Sequence, residues 1–68
     1  MKKDIWIKLT KRRGIVYPFT DEWVATAPTE EYYISENMDF AIRNLVDACP
    51  KVFKDCNIRV EFVPHYLH

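Results

Sequence analysis

The strongest constraint on the fold is a single helical stripe. Met38, Ala41, Ile42, Leu45, Val46 and Cys49 fall at i, i+3, i+4, i+7, i+8 and i+11, the spacing of a helix that buries one side. Asn37 stands where a side-chain acceptor caps the free N–H groups, and Asp39 complements the positive helix end. Pro50 biases Cys49 away from helical geometry. The helix is therefore predicted to begin after Asn37 and to end near Cys49. Proline suits the first position of a new turn, so residues 51–55 are expected to add one, with Val52 and Phe53 prolonging the stripe.

The remaining apolar runs alternate with a period of two. In residues 4–11, Ile5, Ile7 and Leu9 alternate with charged and polar side chains, which predicts a strand with one buried face and Trp6 on the outer one. Gly14 is the only glycine. Its position after Arg12 and Arg13 predicts a hairpin whose turn uses positive φ, with residues 15–19 as the returning strand. Pro18 lacks an N–H and confines that strand to an edge or stops it. Thr20, Asp21 and Glu22 read as a turn or as a helical first turn capped by Thr20. Residues 23–27 and 31–35 form two short strands separated by Pro28 and Thr29, with Trp23, Ala25, Tyr32 and Ile34 expected to face inward. Asn57 opens a last strand in which Ile58, Val60 and Phe62 alternate with Arg59 and Glu61, until Pro64 leaves His65, Tyr66, Leu67 and His68 as a tail.

These elements predict one small α+β domain over residues 1–68: an antiparallel sheet of three to five strands, in the order β-β-(β-β)-α-β, with one amphipathic helix packed on one face. The outer face is expected to carry Lys8, Thr10, Arg59 and Glu61, with Trp6 and Val63 on the same side. A chain of 68 residues buries only about 60% of the surface it exposes unfolded, so its core is small and a homodimer sharing apolar surface is expected. The N-terminus lacks a signal-peptide apolar run, and no segment approaches the roughly 20 apolar residues that span a bilayer. Two cysteines are too few for a secreted disulfide scaffold. A soluble, cytoplasmic protein without contact to membranes is expected.

Charge is sorted along the chain. Residues 1–13 carry six basic side chains against Asp4, a net +5; residues 14–50 carry seven acidic side chains against Arg43, a net −6; residues 51–68 add +1. The neutral total is a cancellation, and opposed blocks either pair within the fold or present two faces to partners. Lys8, Arg12 and Arg13 with Trp6 and Tyr17 form a basic-aromatic set of the kind that grips phosphates and stacks on bases. Trp23, Glu30, Glu31 and Tyr33 form an acidic-aromatic one. The aromatic side chains exceed what one helix on one sheet face covers, and Trp and Tyr anchor interfaces.

Chemistry finds less support. Cys49, Cys56, His65 and His68 have zinc-ligand character, but the spacing lacks a close cysteine pair, and Cys49 belongs to the apolar stripe. A Cys49–Cys56 disulfide would need an oxidising compartment. Ser35, the only serine, lacks the flanking glycines of a nucleophile elbow, and Gly14 alone cannot build a phosphate loop. The adjacent pairs Asp21–Glu22 and Glu30–Glu31 point to opposite faces of an extended chain and make no dyad. The expectation is a non-enzymatic interaction module, with no cofactor, metal or small-molecule substrate, that binds another protein or itself through Trp6, Lys8, Arg12, Arg13, Tyr17, Trp23 and Tyr33. Its size is that of stand-alone bacterial and phage regulators and inhibitors. The alternative is nucleic-acid binding by the basic-aromatic hairpin of residues 8–17.

Overall fold

The computed structural model describes residues 2–15 and 17–63. Its strands are β1 (Lys3–Arg13), β2 (Asp21–Thr26), β3 (Tyr32–Ser35) and β4 (Cys56–Phe62), with helices α1 (Met38–Ala48) and α2 (Pro50–Phe53) between β3 and β4. The sheet order is β3-β2-β1-β4. This is the small α+β architecture that the alternating runs and the single stripe predict.

One pairing departs from the antiparallel expectation, because β4 runs parallel to β1. The helix is the reason. Cys49 at the end of α1 meets Glu31, which precedes β3, so α1 runs back along β3 and returns the chain to the end of the sheet where β1 starts. A strand that begins there runs in the direction of β1, and the sheet is mixed.

The helix itself follows its sequence signals. The Asn37 side chain accepts hydrogen bonds from the N–H groups of Asp39 (2.8 Å) and Phe40 (3.3 Å). The N–H of Cys49 donates to Leu45 O at 3.1 Å, and Cys49 then leaves helical geometry at φ −124° and ψ 57°. Pro50 starts α2, whose Phe53 is buried. Alternation turns Ile7 and Leu9 of β1 and Ala25 of β2 toward the helices, where they join Ala27, Ala41, Leu45, Cys49 and Phe53 in one core. Fully burying a Leu or Ile side chain contributes about 1.5–3 kcal/mol, and Ile7, Leu9 and Leu45 are each completely buried.

The hairpin differs from its sequence reading. Residues 15 and 17–19 belong to the connection and not to a returning strand, which starts only at Asp21. Asp21 and Glu22 are accordingly β2 residues, not a turn or a first helical turn, and they lie in register with Arg13 and Arg12. Gly14 has no positive φ; that conformation falls to Phe19, at φ 62°. What requires glycine is closeness, since a Cβ at position 14 would sit 2.6 Å from the Thr20 carbonyl oxygen. The Gly14 N–H donates to that oxygen at 2.9 Å and closes the loop.

The inward face of β3 is also reversed. Tyr33 and Ser35 pair with Ala25 and Trp23 on the helix side, while Tyr32 and Ile34 pair with Thr26 and Val24 on the opposite side. The cause is the hairpin of residues 27–31, in which Ala27 N–H donates to Glu31 O, Glu30 N–H donates to Ala27 O, and Glu30 takes φ 73°. Such a three-residue turn with a left-handed last residue fixes which residues share a face.

Candidate functional site

β1 and β2 outrun their neighbours. Pairing with β4 ends at Leu9↔Phe62 and pairing with β3 at Trp23↔Ser35, so beyond Lys11↔Trp23 the two strands continue alone through Arg12↔Glu22 and Arg13↔Asp21. They form an arm at one end of a molecule measuring 45 × 21 × 18 Å. Opposite charges brace it. Lys11 Nζ lies 3.3 Å from Asp21 Oδ2, and Arg12 Nε donates to Glu22 Oε2 at 3.2 Å. Beyond the last pair of the arm, the Thr20 hydroxyl donates to Glu36 Oε1 at 3.2 Å.

The tip is apolar. Ile15 and Tyr17 are each 82% exposed and Phe19 is 50% exposed. The rings of Tyr17 and Phe19 meet edge to face, 5.9 Å apart. Large apolar side chains clustered in water are informative where single ones are not. A bulky aromatic at positive φ carries a backbone cost as well, on the order of 1–2 kcal/mol. Phe19 thus combines a disfavoured conformation with an exposed ring.

The residues expected to form the basic-aromatic set divide among three places. Trp6, Lys8 and Arg12 lie on the sheet face away from the helices, Arg13 projects to the other face, and Tyr17 is at the tip. Trp6 and Arg13 are seven positions apart on one strand, about 23 Å, so one small contact does not include both Trp6 and the tip. Trp6 is half exposed and with Glu61 lines a shallow depression of about 280 Å³. Of the acidic-aromatic set, Trp23 is on the helix side, its ring edge to face with Phe62 at 6.4 Å and under Lys11 Nζ at 5.8 Å. Tyr33 stands two residues further along, and Glu30 and Glu31 occupy the β2–β3 turn. Ile15 and Phe19 are not among the contact residues expected from the sequence, because the sequence predicts a strand over residues 15–19. The signal against that assignment was the run of residues 15–19, apolar without alternation and broken by Pro18.

Both cysteines are free thiols. Cys49 lies in the core, and its Sγ donates to Glu31 Oε2 at 2.9 Å. That hydrogen bond, with burial and the Glu31 charge acting in the same direction, raises the thiol above its ordinary value of 9.0. Cys56 Sγ donates instead to the carbonyls of Lys54 (3.3 Å) and Val52 (3.7 Å). His65 and His68 lie outside the described residues, within which no three metal-ligating side chains cluster. Among the described residues no helix is long and apolar enough to cross a membrane. Comparison of the chain with protein-family models, curated proteins and solved structures finds no match.

Proposed function

We propose that this chain is a binding module, without catalysis of its own, that docks another protein through the apolar tip of the β1–β2 arm. The observation that carries the reading is the joint exposure of Ile15, Tyr17 and Phe19 at the end of a braced two-stranded arm. Aromatic side chains of this kind anchor interfaces by entering apolar pockets on a partner. Protein is favoured over nucleic acid because Lys11 and Arg12 already face Asp21 and Glu22. The acidic strand would bring those carboxylates up to any phosphate that approached the basic one, and affinity for nucleic acid rests on such phosphate contacts.

The test replaces Ile15, Tyr17 and Phe19 together by serine and compares captured proteins from a cell extract with those held by the unaltered chain. Photo-crosslinking from position 17 then identifies what touches the tip. A specific partner held by the unaltered chain, crosslinked from position 17 and lost with the serine variant is the expected result. The same proteins captured by both chains would remove the arm from the interface. Circular dichroism checks that the variant keeps its fold.

A further inference from the structure

The β4 strand closes the sheet on the side opposite β3, and its sequence Cys-Asn-Ile-Arg-Val-Glu-Phe contains none of the proline or lysine residues with which proteins blunt an open edge. Its backbone phase is set at its end, where Val63 N–H donates to Leu9 O at 2.9 Å. Groups alternate along a strand, so the N–H and C=O of Ile58, Val60 and Phe62 point outward from the sheet. On the helix side of that edge, Ile58 is 41% and Phe62 64% exposed. On the opposite side stand Arg59 and Glu61.

We propose that a second copy of this chain pairs with β4 edge to edge, antiparallel, about a twofold axis at Val60. The reasoning is one of register. A twofold axis normal to the sheet places residue i opposite a residue of the same face, so the axis passes through Arg59, Val60 or Glu61 if the strand is used centrally. An axis at Arg59 or at Glu61 sets two like charges directly opposite each other, which destabilises a sheet pair. An axis at Val60 sets Arg59 against the partner's Glu61 twice. It also places Ile58 against the partner's Phe62 on the helix side, and Val60 against the partner's Val60.

The backbone phase is compatible with this register, and the charges select it among the registers that the phase allows. Ile58, Val60 and Phe62 are the residues whose N–H and C=O face outward, and they become the hydrogen-bonded pairs of the new ladder. Arg59 and Glu61 then fall at the non-hydrogen-bonded positions, where opposing side chains are closer. The Arg59 side chain is 56% exposed beyond its 3.7 Å contact with Asp4, which leaves it accessible to the partner. The assembly joins two four-stranded sheets into one and sends the two arms to opposite ends. It does not rest on the function proposed for the arm.

The test uses complementary charge variants of the full chain, both carrying Asp4→Asn and Lys8→Gln, because Asp4 contacts position 59 and Lys8 lies in register with position 61 on β1, so that no new repulsion arises within a subunit. Arg59→Glu makes the edge wholly acidic and Glu61→Arg makes it wholly basic. Sedimentation velocity is expected to give a dimer for the unaltered chain and for the chain carrying Asp4→Asn and Lys8→Gln alone. Each charge variant alone should dissociate at least about tenfold more readily, because both cross-strand pairs change from attraction to repulsion. An equal mixture of the two variants should recover the dimer as a heterodimer, read by mass spectrometry after labelling one of them. Circular dichroism verifies that each variant is folded, and the serine variant of the arm should still dimerise. A monomer for the unaltered chain at about 1 mM, the weakest affinity of interest, overturns the proposal. So do variants that remain dimeric alone, or a mixture that remains monomeric.

Discussion

At the scale of single residues, Phe19 is where fold and binding pull apart. A bulky aromatic at φ 62° is held in a conformation that Asn tolerates far better, and half of its ring faces water. Phe19→Asn is expected to leave stability unchanged or to raise it by up to about 1 kcal/mol, since relief of the backbone cost offsets the lost contact with Tyr17. The same substitution is expected to weaken partner capture. Urea unfolding and the capture assay read the two effects separately, and a loss of stability beyond about 1 kcal/mol would give the ring a role in the fold. Cys49 makes a different kind of prediction. Its folded value lies above its unfolded one because Glu31 accepts its proton in a hydrogen bond, so the native state holds that proton longer. The resulting stability is fully present below about pH 9, the ordinary value of the thiol, and is lost as pH rises through the raised folded value. Thermal melts from neutral to alkaline pH should show a decline that is shallower in Cys49→Val. Equal slopes in both proteins would remove the Glu31 contact as its source.

At the scale of elements, the arm depends on a close approach and not on an unusual dihedral. Gly14→Ala would place a methyl group 2.6 Å from Thr20 O and 3.2 Å from Glu22 Oε1, and overpacking of this kind costs about 1–3 kcal/mol. Hydrogen exchange should show the loss concentrated at the Gly14 N–H and in the Arg13↔Asp21 end of the ladder, with α1 protected as before. Uniform loss would mean that the arm and the helix unfold as one unit. Elements differed in how far their sequence exposed them. The helix could be read because its stripe, its Asn37 cap and its Pro50 stop are all local and agree with one another. The hairpin could not, because the only glycine invited a turn at positive φ, whereas the property in use at position 14 is the missing Cβ, which only the Thr20 carbonyl across the loop makes necessary. The side of β3 that faces inward depends on one residue more or less in the turn at 27–31, a count that alternation alone does not supply. The direction of β4 depends on which way α1 crosses, and no residue of β4 encodes that. The tip residues Ile15 and Phe19 are illegible for the same reason, since the strand that pairs with β1 starts only at Asp21.

At the scale of the whole molecule, charge sorted along the sequence becomes charge paired across strands: Lys11 with Asp21, Arg12 with Glu22, and Asp4 with Arg59 at the other end of β1. Exposed pairs of this kind contribute about 0–1 kcal/mol each, so they set the register of the arm more than they hold the fold. The fold is held by one thin core, and for 68 residues the expected total stability is about 3–10 kcal/mol. Leu45→Ala alone is expected to cost about 2–5 kcal/mol, enough to leave a substantial unfolded population if the subunit stands alone. Association changes that balance by mass action, because only folded chains present the β4 edge. Under the β4 pairing proposed above, a tenfold rise in protein concentration adds about 0.7 kcal/mol per chain, which for a domain of this size raises the melting midpoint by about 3–6 °C. Leu45→Ala should start from a lower midpoint and show the same dependence, since Leu45 lies in the core and not at the edge. Glu61→Arg should retain its secondary structure and lose the dependence. A midpoint independent of concentration in the unaltered chain would mean that the subunit is stabilised by its core alone, and the edge would then contribute nothing to the folded state at those concentrations.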